Sequence, residues 1–90
     1  MLSLIKELCC LDGVSSAEDA VREFIRAKAE PYADWTRTDV MGNLIVFKKG
    51  ERATGHKLML TAHMDEVGMI VTGALPDGML RIGMVGGIDP

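Results

Sequence analysis

The clearest chemical potential in the sequence lies at His63-Met64-Asp65-Glu66, where an imidazole and two carboxylates fall within four residues. A neutral imidazole is a good ligand for zinc, cobalt or manganese. A carboxylate two residues further along can hold that imidazole in one tautomer and raise its basicity as a ligand. A metal ion bound there would acidify a water molecule enough to make it a nucleophile near neutral pH. The motif alone leaves two alternatives open: a metal centre, or a hydrogen-bonded structural histidine at a strand end, which is the more frequent case for a lone histidine.

The segment before this motif predicts how the motif is positioned. Lys57–Ala62 is a short, nearly continuous apolar run, which is typical of a strand covered on both faces. Ligand-binding groups gather at the carboxyl ends of strands in open α/β sheets, and His63 falls at such an end. The other histidine, His56, would lie roughly 20 Å from His63 if the residues between them are extended, so the two do not share a metal ion.

Two amphipathic helices are predicted in the first third of the chain. The first covers Leu2–Leu11 and ends with Gly13 in the left-handed C′ position. The second begins at a capping box, in which Ser15 accepts from the backbone N–H of Glu18 and the Glu18 carboxylate bonds back. It ends near Pro31, because proline cannot continue a helix.

Turn signals predict two β-hairpins after the helices. Trp35–Asp39 pairs with Leu44–Phe47, and Val67–Thr72 pairs with Met79–Ile82. Helices followed by a buried strand favour α/β layers for the first part of the chain. The glycine-rich hairpin pattern from Val67 onward is typical of the start of a separate β unit.

Composition excludes several classes of protein. The 90 residues are 48 % apolar with a formal net charge of −3, which is too mixed for a disordered acidic tail and offers no basic footprint for nucleic acid. No apolar run reaches the roughly 18–20 residues that span a bilayer, and no signal peptide is evident, so a cytoplasmic location is expected. The adjacent Cys9 and Cys10 exclude a disulfide framework. Ser15 and Ser16 fit a helix start better than a nucleophile.

Four segments occur in the order and at the spacing of one known family: Gly13–Ser15, Asp39–Ile45, Leu58–Gly68 and Gly86–Pro90. The sequence resembles the N-terminal part of the dinuclear-metal aminopeptidases of the glutamyl/deblocking aminopeptidase group, some of which are labelled endoglucanase-like. The resemblance covers essentially all 90 residues, and its most specific element is Ala62–Gly68.

The resemblance implies an α/β fold, the N-terminal part of a mixed-sheet metallopeptidase catalytic domain, followed by the start of an inserted β-barrel-like dimerisation domain. Residues 1–67 would belong to the catalytic domain and residues 68–90 to the insertion. Family members use two divalent ions, usually zinc or cobalt, to remove N-terminal residues from peptide substrates. Many assemble as homo-oligomers built from dimers, up to tetrahedral dodecamers.

By position, the resemblance makes His63 a ligand of one metal ion and Asp65 the catalytic carboxylate that supports that ligand and the metal centre. It assigns no role to Glu66. The remaining ligands and the general base lie beyond the inserted domain in the family, so the site within these residues is incomplete. We therefore expect the 90-residue chain alone to be inactive.

The alternative is a non-catalytic, self-associating small domain without bound metal. Its adaptable apolar surface would be supplied by methionines, and its open sheet edges would pair with another chain. The glycine-rich C-terminal sequence lacks a predicted helix, a helix cap or a charged tail. We therefore expect it to be part of a longer enzyme and not the end of an independent domain. The methionines concerned are Met59, Met64, Met69, Met79 and Met84.

Overall fold

The computed structural model describes residues 1–52 and 55–89. It is a mixed α/β structure with two α-helices and two small antiparallel sheets. The combination of helices and strands agrees with the predicted α/β class. By contacts the chain divides into two units, one formed by Met1–Val21 with the segment that begins at Met64, the other by Arg22–His63. The elements in chain order are α1 (Leu2–Cys9), α2 (Asp19–Ala29), a short 3-10 helix (Glu30–Tyr32), β1 (Trp35–Thr38), β2 (Leu44–Phe47), β3 (Gly68–Ala74) and β4 (Leu80–Val85).

Helix α1 ends two residues earlier than predicted. Its C-cap is Cys10, which stays in the right-handed helical region and donates its backbone N–H to the carbonyl of Glu7. The prediction that Gly13 caps this helix in a left-handed conformation is therefore wrong. Gly13 is instead buried, and a Cβ there would collide with the Val21 side chain. Its small size serves a close approach rather than a helix end.

The start of α2 also differs from the predicted capping box. The helix begins at Asp19, and the Ser15 hydroxyl is engaged elsewhere. The Glu18 carboxylate does bond back to the backbone, but it accepts the N–H of Ser16 at 2.8 Å. Ser16 adopts a φ of +73°, which is uncommon for a residue with a side chain. The helix ends before Pro31, as predicted.

The first hairpin forms as predicted in the unit Arg22–His63. Strands β1 and β2 pair antiparallel, with Trp35 opposite Phe47. The two rings stack with centroids 5.4 Å apart and planes 16° from parallel. Such cross-strand aromatic pairs are a main source of stability in a two-stranded sheet.

The turn of this hairpin is organised by one carboxylate. Asp39 accepts hydrogen bonds from the backbone N–H of Met41 at 3.0 Å and of Asn43 at 2.8 Å, and from Asn43 Nδ2 at 2.9 Å. These bonds, first of all that from the Asn43 side chain, hold the pKa of the Asp39 carboxyl below its ordinary value of 3.8. Gly42 provides the positive φ, +88°, that the turn requires.

We expect this hairpin to be acid-sensitive through Asp39. The ionised form is favoured in the folded turn, so its stabilisation is complete above the ordinary pKa of 3.8 and is lost as pH falls through the lower pKa of the folded turn. The blocked peptide of residues 35–48 tests this, because Asp39 is its only carboxylic acid. Its hairpin population by nuclear magnetic resonance should fall on acidification below pH 4.

The matched control is the same peptide with Asp39→Ala. It should be less structured than the parent at pH 6, and its hairpin population should not change with pH. A parent peptide whose hairpin population is equal at pH 6 and pH 2 would contradict the role given to the carboxylate.

The predicted strand Lys57–Ala62 is not formed among the described residues, and that prediction is wrong for this structure. The segment pairs with no strand there, and its side chains Leu58, Met59 and Leu60 are 88 %, 83 % and 87 % exposed. A strand needs ladder partners, and here each hairpin pairs only within itself. The apolar side chains of this segment are therefore present without neighbouring strands or helices, within the described ranges, to cover them.

The second hairpin lies in the unit that contains the N-terminus. Strands β3 and β4 pair antiparallel from Gly68 opposite Val85, with a register shift between Val71 and Gly73. The hairpin is longer than predicted, although its position is as expected. Many of its apolar side chains are more than half exposed, among them Met69, Ile70, Val71, Met79, Leu80, Ile82 and Met84.

Very little apolar surface is buried in the described part of the chain. Val21, at 7 % exposure, is its one buried side chain of the hydrophobic class. Cys9 and Cys10 are exposed free thiols. Neither helix in the described ranges is long and apolar enough to cross a membrane.

Candidate metal centre

Backbone pairing brings the N-terminal loop beside the His-x-Asp motif. Val14 and Glu66 form an isolated parallel bridge, and the Glu66 N–H donates to the carbonyl of Gly13 at 2.8 Å. The sequence pattern assigns no role to Glu66, and the structure shows its backbone as the point at which these two segments join. Because the bridge is parallel, the residues that precede Val14 run alongside the motif, which precedes and includes Glu66.

A side-chain hydrogen bond lies next to this bridge. The Ser15 hydroxyl donates to Asp65 Oδ2 at 2.5 Å, and both residues are half-buried. The distance is at the short end of the range for a hydroxyl bonded to a carboxylate, which is among the stronger hydrogen bonds in proteins. The two residues are 50 positions apart, so the contact depends on the fold and not on a local turn.

Close packing supports the bridge on both sides. A Cβ at Gly68 would overlap the Val14 side chain, and a Cβ at Gly13 would overlap Val21. Both positions therefore need glycine for the loop to approach the motif. The local pattern at Gly13 predicts a helix end, because the contact partners of a glycine leave no trace in the neighbouring residue types.

The predicted site residues occupy different surroundings. Asp65 lies in the bridged segment and is half-buried, whereas His63 is exposed and belongs by contacts to the unit Arg22–His63. His56 is also exposed. It lines an open cavity of about 580 Å³ in that same unit, together with the basic side chains Lys48, Lys49, Arg52 and Lys57. Thus the structure brings Asp65 together with Ser15, for which the sequence pattern predicts a helix start.

The donor types suit a divalent ion, while their number does not complete a site. Imidazole and carboxylate are ligands or ligand supports for zinc and cobalt. A catalytic zinc is held by three protein ligands. In residues 1–52 and 55–89, no three His, Cys, Asp or Glu side chains come together as a possible metal-binding group. The residue types present therefore fit part of a metal centre, and the Asp65 carboxylate accepts a hydrogen bond from Ser15.

Comparison with known proteins gives a consistent result. Residues 42–90 match the family model described as M42 glutamyl aminopeptidase. The chain is 34 % identical over 88 residues to the lysyl aminopeptidase of Pyrococcus furiosus, covering 97 % of this chain and 25 % of that protein. It therefore spans about a quarter of the length of this curated relative.

Two solved structures are similar to this chain in fold and in sequence. A crystal structure from Thermotoga maritima, described as an endoglucanase, is 47 % identical with a TM-score of 0.85, covering 94 % of this chain and 27 % of that one. The TET aminopeptidase from a marine sediment archaeon of the Thaumarchaeota is 31 % identical with a TM-score of 0.83. The aligned region covers 96 % of this chain and 23 % of the TET aminopeptidase chain.

Proposed function

Since the chain belongs to the M42 glutamyl aminopeptidase family, we propose that it forms the N-terminal part of a metal-dependent aminopeptidase. The enzyme would hydrolyse the first peptide bond of peptide substrates. The observation that carries the proposal is the family match over residues 42–90, which includes the whole His63-Met64-Asp65-Glu66 motif. The remaining ligands and the general base would come from sequence outside these 90 residues.

In this proposal His63 binds one of two divalent ions, zinc or cobalt, through a ring nitrogen. Asp65 supports that ligand and the metal centre, and its carboxylate is held by Ser15. When bound, the metal ions lower the pKa of water and polarise the scissile carbonyl. The chain's own contribution is to place one imidazole and one oriented carboxylate. This orientation matters because the affinity of a site for its metal ion depends strongly on how the ligands are held.

The domain organisation belongs to the same proposal. Residues 1–67 would contribute to an α/β catalytic domain, and residues 68–90 would begin an inserted β-barrel-like dimerisation domain. Strand β3 starts at Gly68, which supports the position of that boundary. A homo-oligomer, dimer-based and up to a dodecamer, and a cytoplasmic location complete the proposal. The exposed apolar side chains of Leu58–Leu60 would be covered by the rest of the catalytic domain.

A non-catalytic, self-associating domain is the second candidate. The exposure of Met59, Met69, Met79 and Met84 favours it, because such surface invites another chain. In that case the complete protein would bind no metal ion and release no amino acid from any peptide.

The test is an assay of the complete protein on a pair of peptides that differ only in acetylation of the N-terminus. We expect release of the first residue from the free peptide and none from the acetylated one. A chelator should abolish this release, and added zinc or cobalt should restore it. Equal cleavage of both peptides, or full activity in the metal-free protein, would contradict the proposal.

A further inference from the structure

We propose that Ser15 is a positioning residue for the metal centre, acting through its hydrogen bond to Asp65. This inference rests on the proposed aminopeptidase function and adds to it a residue from the N-terminal loop. The basis is the 2.5 Å contact between the Ser15 hydroxyl and Asp65 Oδ2, made across 50 residues of sequence between two half-buried side chains.

The position of Ser15 is fixed by its two neighbours in sequence, Val14 and Ser16. On one side, Val14 is bridged to Glu66 by backbone pairing, which sets the distance between the loop and the motif. On the other side, the Ser16 N–H is bonded to the Glu18 carboxylate, and Ser16 has the left-handed φ of +73°. A non-glycine residue in that region is strained and persists only where the surroundings impose it. The hydroxyl is therefore pre-placed for Asp65.

A hydrogen bond to one oxygen restrains the whole carboxylate. Rotation about the bond between Cβ and the carboxyl carbon is broad for an unrestrained aspartate. Holding Oδ2 removes that freedom, and the direction of Oδ1 is then fixed as well. Groups that orient a metal ligand or its supporting carboxylate typically change metal affinity or activity by about 10–100-fold when removed.

The variants that test this are Ser15→Ala, which removes the hydroxyl, and Ser15→Thr, which retains it. Ser3→Ala is the matched control, because it removes the same hydroxyl from an exposed position on α1. All are made in the complete protein. Zinc affinity is measured by competition with a chelator, kcat and KM on a free peptide, and folding by circular dichroism.

We expect Ser15→Ala to weaken zinc binding and lower kcat, each by about 10-fold or more, with KM nearly unchanged. Ser15→Thr should recover most of both, and Ser3→Ala should match the wild type. Wild-type zinc affinity and kcat in Ser15→Ala would overturn the inference, as would equal losses in Ser15→Ala and Ser15→Thr with intact folding. An active wild type with an unaffected Ser15→Ala variant refutes this inference alone. A wild type without zinc binding or activity refutes the proposed function and this inference together.

Discussion

Replacing His63 by alanine in the complete protein is expected to reduce aminopeptidase activity by more than about 100-fold. Loss of a residue that merely orients a ligand costs about 10–100-fold, so loss of the ligand itself should cost more. The metal content should fall in parallel, because alanine offers no donor atom. Activity is measured on a peptide with a free N-terminus, and bound metal is measured on the same sample after dialysis.

The chain offers a matched control in its only other histidine, His56. It is exposed and lines the cavity between β2 and the segment that follows, with basic neighbours and no assigned role in the centre. His56→Ala should keep wild-type metal content and activity. If His63→Ala retained full activity, or if both variants lost activity equally, the role given to His63 would be wrong.

The isolated 90-residue polypeptide is expected neither to unfold cooperatively nor to cleave peptides. Val21 is the one buried side chain of the hydrophobic class in the described residues, and Leu58, Met59 and Leu60 are more than 80 % exposed. Cooperative unfolding needs a buried core to offset the conformational entropy of about 1–2 kcal/mol per residue. Trp35 fluorescence and circular dichroism in urea should therefore change gradually.

The activity of the same polypeptide is measured with an amino-acid anilide in the presence of zinc or cobalt. The rate should not exceed the background, because two donor side chains do not complete a metal site. The complete protein, assayed beside it, serves as the positive control. A sharp unfolding transition or metal-dependent cleavage by the polypeptide would contradict this prediction.

The sequence predicts best those elements whose causes are local. The hairpin of β1 and β2 follows from Asp39, Gly42 and Asn43, whose side chains and backbone conformations form the turn among themselves. The end of α2 follows in the same way from Pro31. The second hairpin is also found where turn residues indicate it, though its strands extend further than the local pattern predicts.

The failures concern partners distant in sequence. Lys57–Ala62 has the composition of a buried strand, but burial depends on neighbours that the described residues do not supply. Ser15 has the local signature of a helix cap, yet its hydroxyl bonds Asp65, 50 residues away. A local pattern carries no record of such a contact. The backbone bridge between Val14 and Glu66, which brings Ser15 close to Asp65, cannot be predicted from the residue types either.

The most direct test of the account is the number of metal ions bound per chain in the complete protein, with its intact mass taken from the same sample. We predict about two divalent ions in the wild type, as in two-metal hydrolytic sites, and a clear loss in His63→Ala. A folded wild-type protein that binds no divalent ion, or a His63→Ala variant that binds as many ions as the wild type, would contradict the assignment of this motif to a metal centre.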